Sequence, residues 1–83
     1  MKTFLTLALL FSLNAYAKTE CTTEPKANWK DQTEFQKELA KTYKIKVFKV
    51  TDGNCFEIYG HNKDGKRVEI YFNPVTGAVV KQK

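Results

Sequence analysis

Eighty-three residues allow one domain at most, and fourteen Lys and Arg against nine Asp and Glu give a formal net charge of +5. The basic residues are dispersed among acidic ones, which reads as solvated surface and favours acidic partners or membrane surfaces only weakly. One histidine, two cysteines and four glycines that fall at turns or within a strand exclude a Gly-rich phosphate loop and leave little with which to build a zinc site.

Residues 1–17 read as a secretory signal peptide. Lys2 supplies the positive start, Phe4 to Leu13 a short apolar run, and Ala15-Tyr16-Ala17 a small-x-small cleavage site. The alternative is an uncleaved anchor or a buried helix, but the run is too short to span a bilayer comfortably. Lys18-Thr19-Glu20 before Cys21 is polar where a lipoprotein signal needs small apolar residues. Cleavage after Ala17 leaves a mature chain of 66 residues with a net charge of about +4. That length lies near the lower edge for a domain held by its core alone. In an exported protein Cys21 and Cys55 are expected to pair, and the chain-entropy model values a loop of this length at about 3.5–4 kcal/mol.

Residues 18–30 are polar, aperiodic and interrupted by Pro25, and read as an extended arm before a domain over 31–83. Asp31 followed three residues later by Glu34 is a capping box. Phe35, Leu39 and Tyr43 then recur at four-residue steps, predicting a helix from about 32 to 43, with Trp29 folded over its start. Residues 45–51 are β-rich, but Ile45 and Val47 alternate out of phase with Phe48 and Val50. A bulge or a two-sided strand accounts for that slip. Asp52-Gly53 signals a tight turn into a second strand over 55–62, with Phe56 and Ile58 inward. Residues 62–65 turn the chain into a third strand over 67–72, Pro74 ends it, and Ala78-Val79-Val80 forms a short closing strand.

The expected fold is α+β: one N-terminal helix packed on a three- to four-stranded antiparallel β-meander with one disulfide. Its expected core is Phe35, Leu39, Tyr43, Ile45, Phe56, Ile58, Val68, Ile70, Phe72 and Val79. Glu57, Tyr59, His61, Arg67, Glu69 and Tyr71 belong to the opposite face, which an antiparallel sheet can leave to solvent.

The order of these features resembles the PepSY domain family. The resemblance runs through Tyr43-Lys44-Ile45, through Asp52 to Tyr59 on the hairpin, and through Asp64 to Val80, where the ending Asn73-Pro74-Val75-Thr76-Gly77-Ala78-Val79-Val80 is the most specific part. The family usually has Gly where this chain has Thr42, and an acidic residue where it has Ala78. PepSY domains occur in metallopeptidase propeptides and in many cell-envelope proteins. The resemblance therefore implies binding of proteins or peptides, with peptidase inhibition as its sharpest form, and it implies no catalytic residue.

The residues agree with a non-enzymatic role. Ser12 lies in the expected signal peptide, so beyond it only threonines offer a hydroxyl nucleophile, and His61 is the sole imidazole base. A weak metal or acid–base site can be drawn from His61, Glu57 and Glu69, and a small-ligand or metal-handling periplasmic protein centred on His61 is the rival reading. No metal ligand set, cofactor or nucleic-acid partner is expected. Gly60 inside a strand marks a bulge or a close backbone approach. Tyr59, His61, Arg67 and Tyr71 form an aromatic-basic patch of the composition favoured at interface centres, and are the expected binding face for a protein or peptide of the cell envelope. The strand edges offer a second route, with Lys44, Lys46 and Lys49 as guards against pairing. Expected location is the periplasm or the exterior, with no membrane span in the mature chain.

Overall fold

The computed structural model describes residues 18–83, so the expected signal peptide lies outside the described residues. A single turn of 3-10 helix at Lys26–Asn28 precedes α1 (Gln32–Leu39), β1 (Lys44–Val50), β2 (Phe56–His61), β3 (Arg67–Phe72) and β4 (Val79–Gln82). The four strands form one antiparallel sheet in the order β1-β2-β3-β4. One helix on a four-stranded meander is the expected α+β architecture.

Helix α1 starts where the capping residues place it. The Asp31 carboxylate accepts from the Glu34 amide at 2.9 Å, satisfying one donor that the first turn leaves free. It ends a turn earlier than the apolar spacing predicts. Lys41 and Thr42 donate to the carbonyls of Glu38 and Leu39 in tight three-residue turns. Aromatic Tyr43 and β-branched Thr42 have poor helix propensity and lead into β1. Tyr43 still packs against the core, so its apolar spacing is real although its backbone is not helical.

The slip in β1 is a bulge. Ile45 pairs with Gly60 and Val47 with Tyr59, leaving Lys46 as the extra residue. That insertion resets the alternation, so Ile45, Phe48 and Val50 all pack against the core while Val47 faces solvent. Gly60 is required there, because a Cβ would run into the Lys44 carbonyl and the backbone of Ile45. The close approach comes from β1 itself.

The buried centre is Leu39, Phe56, Ile58, Val68, Ile70 and Phe72, with Trp29, Phe35, Tyr43, Ile45, Phe48 and Val50 against it. Phe56 is the hub. Its ring lies 5.3–5.7 Å from those of Phe48, Phe35 and Trp29, and Phe35 also meets Phe72 edge-on at 5.4 Å. One expected core residue does not belong: Val79 is 52% exposed. Two turns of helix lay Phe35 over β2 and β3, and the edge strand β4 is exposed along its whole length.

The arm is fastened across the ends of the strands. Cys21 is bonded to Cys55 with their Cα atoms 5.1 Å apart. The Cys21 amide donates to the Gly53 carbonyl at 3.0 Å, and Asn73 Nδ2 donates to the Cys21 carbonyl at 3.1 Å. Gly53 serves this crossing rather than the turn's twist: the left-handed position belongs to Asn54 (φ 61°), while a Cβ at Gly53 would collide with Thr19. Further along, Trp29 Nε1 donates to the Glu24 carbonyl at 3.0 Å and the Lys30 amide to the Pro74 carbonyl at 2.8 Å.

Candidate functional site

Antiparallel registry sets the outer sheet face as rows. Lys49, Glu57, Tyr71 and Lys81 lie opposite one another from β1 to β4, and the next row runs Val47, Tyr59 and Glu69. The Lys83 amide bonds the Glu69 carbonyl at 2.9 Å and extends that second row. His61 faces Arg67 in a third row. Glu57 and Glu69 are therefore diagonal neighbours on one face, close enough for long side chains to meet.

Glu57 lies on the outer face as expected but is buried there, being only 2% exposed. Neighbouring side chains of its own face cover it, and alternation alone carries no sign of that. Its Oε1 lies 3.8 Å from Lys49 Nζ, while Oε2 is buried with no hydrogen-bond partner among the described residues. Burial, and next the hydrogen bond it shares with Glu69, push the Glu57 carboxyl above the usual range, against a smaller downward pull from Tyr59, Lys49 and Tyr71. Glu69 moves the other way, chiefly because of that same bond to Glu57. A proton on Glu57, with Glu69 as its acceptor, would satisfy the orphan oxygen and fits both directions.

Two tyrosines and two lysines surround the pair. Tyr71 Oη donates to Glu69 Oε2 at 3.2 Å, and Lys83 Nζ lies 3.6 Å from the same oxygen. Hydrogen bonds to Glu69 and then Glu57 hold the Tyr59 hydroxyl protonated, its pKa pushed up to about 12. Burial, and then the Glu57 charge, raise that of Tyr71. Each ring also takes a lysine over its face: Lys49 lies 5.5 Å from the Tyr59 ring and Lys83 5.5 Å from the Tyr71 ring.

The four residues of the expected binding face separate into two clefts. Tyr59, His61 and Arg67 line one of about 340 Å³ together with Lys46, Gly60 and Val68. Tyr71 lies in the other, of about 390 Å³, with Glu57 and the lysines Lys18, Lys49, Lys81 and Lys83. The bulge that inserts Lys46 thus builds the first cleft, and the arm that brings Lys18 completes the second. His61, Glu57 and Glu69 share a face, yet no three of His, Cys, Asp and Glu group as metal ligands among the described residues.

The sequence model of the PepSY_2 family, described as peptidase propeptide and YPEB domain, matches residues 1–83. The chain belongs to the PepSY family. No curated protein and no solved structure matches it. The description makes this PepSY domain similar to peptidase-propeptide modules, and a disulfide fits an exported protein. No helix among the described residues is long and apolar enough to cross a membrane. Reading the residues alone missed the cleft under the arm. Lys18 and Lys81 stand far apart in sequence, and only the fastening at Cys21 and the pairing of β4 bring both beside Glu57.

Proposed function

We propose that this PepSY domain is a non-enzymatic binding module of the cell envelope that docks a protein or peptide on its outer sheet face, with inhibition or regulation of a peptidase as its sharpest form. The observation that carries the reading is the convergence of Tyr59, His61 and Arg67 on one open cleft, opposite a face already filled by the core. Aromatic rings and a guanidinium around a recess are the groups that anchor protein interfaces. Tyr71 and the neighbouring cleft extend the same surface. Residues 1–17 serve as a signal peptide cleaved after Ala17, residues 18–30 as the arm and residues 31–83 as the domain, and the mature protein resides in the periplasm or outside the cell.

The test is capture from native envelope extract on immobilised oxidised protein, washed at physiological and raised salt. One enriched protein that survives the wash, and is lost on Tyr59→Ala plus Tyr71→Ala, supports the face as the docking surface. Unchanged capture by the double variant refutes the face, and an empty lane refutes the module.

A further inference from the structure

We infer that the cleft bounded by Lys18, Lys49, Lys81 and Lys83 receives an acidic peptide segment of the partner, and that the Glu57–Glu69 carboxyl pair beneath it makes that docking depend on a proton. This rests on the binding-module reading and gives the partner its chemistry. Four lysines and one acidic loop residue, Asp52, line the recess together with Glu57. Two of the lysines are matched internally, Lys49 by Glu57 and Lys83 by Glu69. Lys18 and Lys81 have no carboxylate within ion-pair distance among the described residues. The recess therefore holds an excess of positive charge that an anionic ligand would complement. Its form, a trough between the arm, the β1–β2 turn and β4, suits one extended chain better than a planar surface such as a bilayer.

Glu57 sets the charge of the floor. The groups facing it are Lys49 from β1, Tyr59 from its own strand, and Glu69 and Tyr71 from β3, with Lys83 held against Glu69. Its Oε2 is buried with no partner among the described residues, a position that favours a proton there, and with a proton in place the pair would carry one negative charge instead of two. As pH rises through the raised titration of Glu57 the proton leaves, the second charge appears under the lysines, and an anion is held less tightly. A simple lysine site, which keeps its charge across this range, would show no such loss.

Backbone NMR titration of isotope-labelled protein at low salt tests this with three probes: a short Glu-rich peptide, a Gln-rich peptide of the same length, and anionic lipid vesicles. The Glu-rich peptide is expected to shift Thr19, Lys49, Thr51, Tyr71 and Lys81, and across a pH series from about 4.5 to about 8 to bind about threefold more weakly at the top than at its tightest. Lys81→Ala should weaken it about three- to fivefold, while Lys37→Ala, which removes a lysine from the helix, should not. Glu57→Gln should keep the tighter binding and lose the pH dependence. Equal binding of the Gln-rich peptide, shifts outside the cleft, or a loss no greater for Lys81→Ala than for Lys37→Ala would overturn the site. Vesicle binding without peptide binding would assign the lysines to a membrane instead. A pH dependence that survives in Glu57→Gln overturns the role of the carboxyl pair. Should the peptide fail while partner capture still depends on Tyr59 and Tyr71, the acidic chemistry falls and the binding module stands.

Discussion

The two faces of this sheet solve opposite problems with the same three strands. The inner face closes over Phe56 and excludes everything polar; the outer face gathers four charged or phenolic side chains around a buried carboxyl. On the inside, each contact is apolar, short-ranged and insensitive to pH. On the outside, the buried Glu57 carboxyl has Lys49 3.8 Å from one oxygen and no hydrogen-bond partner for the other among the described residues, which makes it the group most sensitive to protonation. Stability and pH response are thus carried by different faces, and variants on each should move one without the other.

The largest separation is expected from Phe56→Ala. Removing the hub of four rings should cost about 3–5 kcal/mol, enough to leave the small domain largely unfolded in a urea titration. Opening the disulfide comes next. Loss of the Cys21–Cys55 link should cost about 3.5–4 kcal/mol on chain entropy, read as a lower melting temperature in reductant, and a negligible shift would mean the arm is held by its hydrogen bonds alone. Both changes should act equally at acid and neutral pH, because neither touches the carboxyl pair.

Glu57→Gln should do the reverse. The raised Glu57 contributes stability that is present below its unfolded pKa and lost as pH rises through the folded value, whereas lowered Glu69 contributes stability present above its unfolded pKa and lost on acidification. An amide at residue 57 keeps a donor for Glu69 and never ionises. It should stabilise the protein at neutral pH by about 1 kcal/mol, roughly 4–8 °C in Tm, and flatten the neutral side of the stability–pH curve. A curve as steep as that of the unaltered protein would break the proposed asymmetry. Smallest of all, Val79→Thr should change stability by less than about 0.5 kcal/mol, since that side chain already faces water.

Much of the inner face was legible in the sequence, because period-two alternation in β2 and β3 and the spacing of Phe35 and Leu39 report burial directly. The phase of β1 was legible only as a conflict: a bulge at Lys46 and a two-sided strand write the same letters, and the pairing of Gly60 with Ile45 decides between them. Val79 misled for a different reason. Alternation places a residue on a face, but the reach of an eight-residue helix determines whether that face is covered there. On the outer side, strand alternation puts Tyr59, His61 and Arg67 on one face, where they line one cleft while Tyr71 lines another. Residue type exposed Glu57, since hydrophobicity argues against burying a carboxylate and the diagonal partner that permits it lies a strand away.

The fastening of the arm also bears on the order in which the chain folds. The meander is built from hairpins whose partners lie near one another in sequence, so each can close at small entropic cost. The clasp joins residues 34 and 52 positions apart, from Cys21 to Cys55 and from Cys21 to Asn73, and its acceptor at Gly53 exists only once the β1–β2 turn has formed. Strand pairing is therefore expected to precede clasping, so that the arm locks a sheet already made. In the reduced chain that last event is expected to be reversible and oxidation to fix it, so pairing of Cys21 with Cys55 should report a sheet already formed.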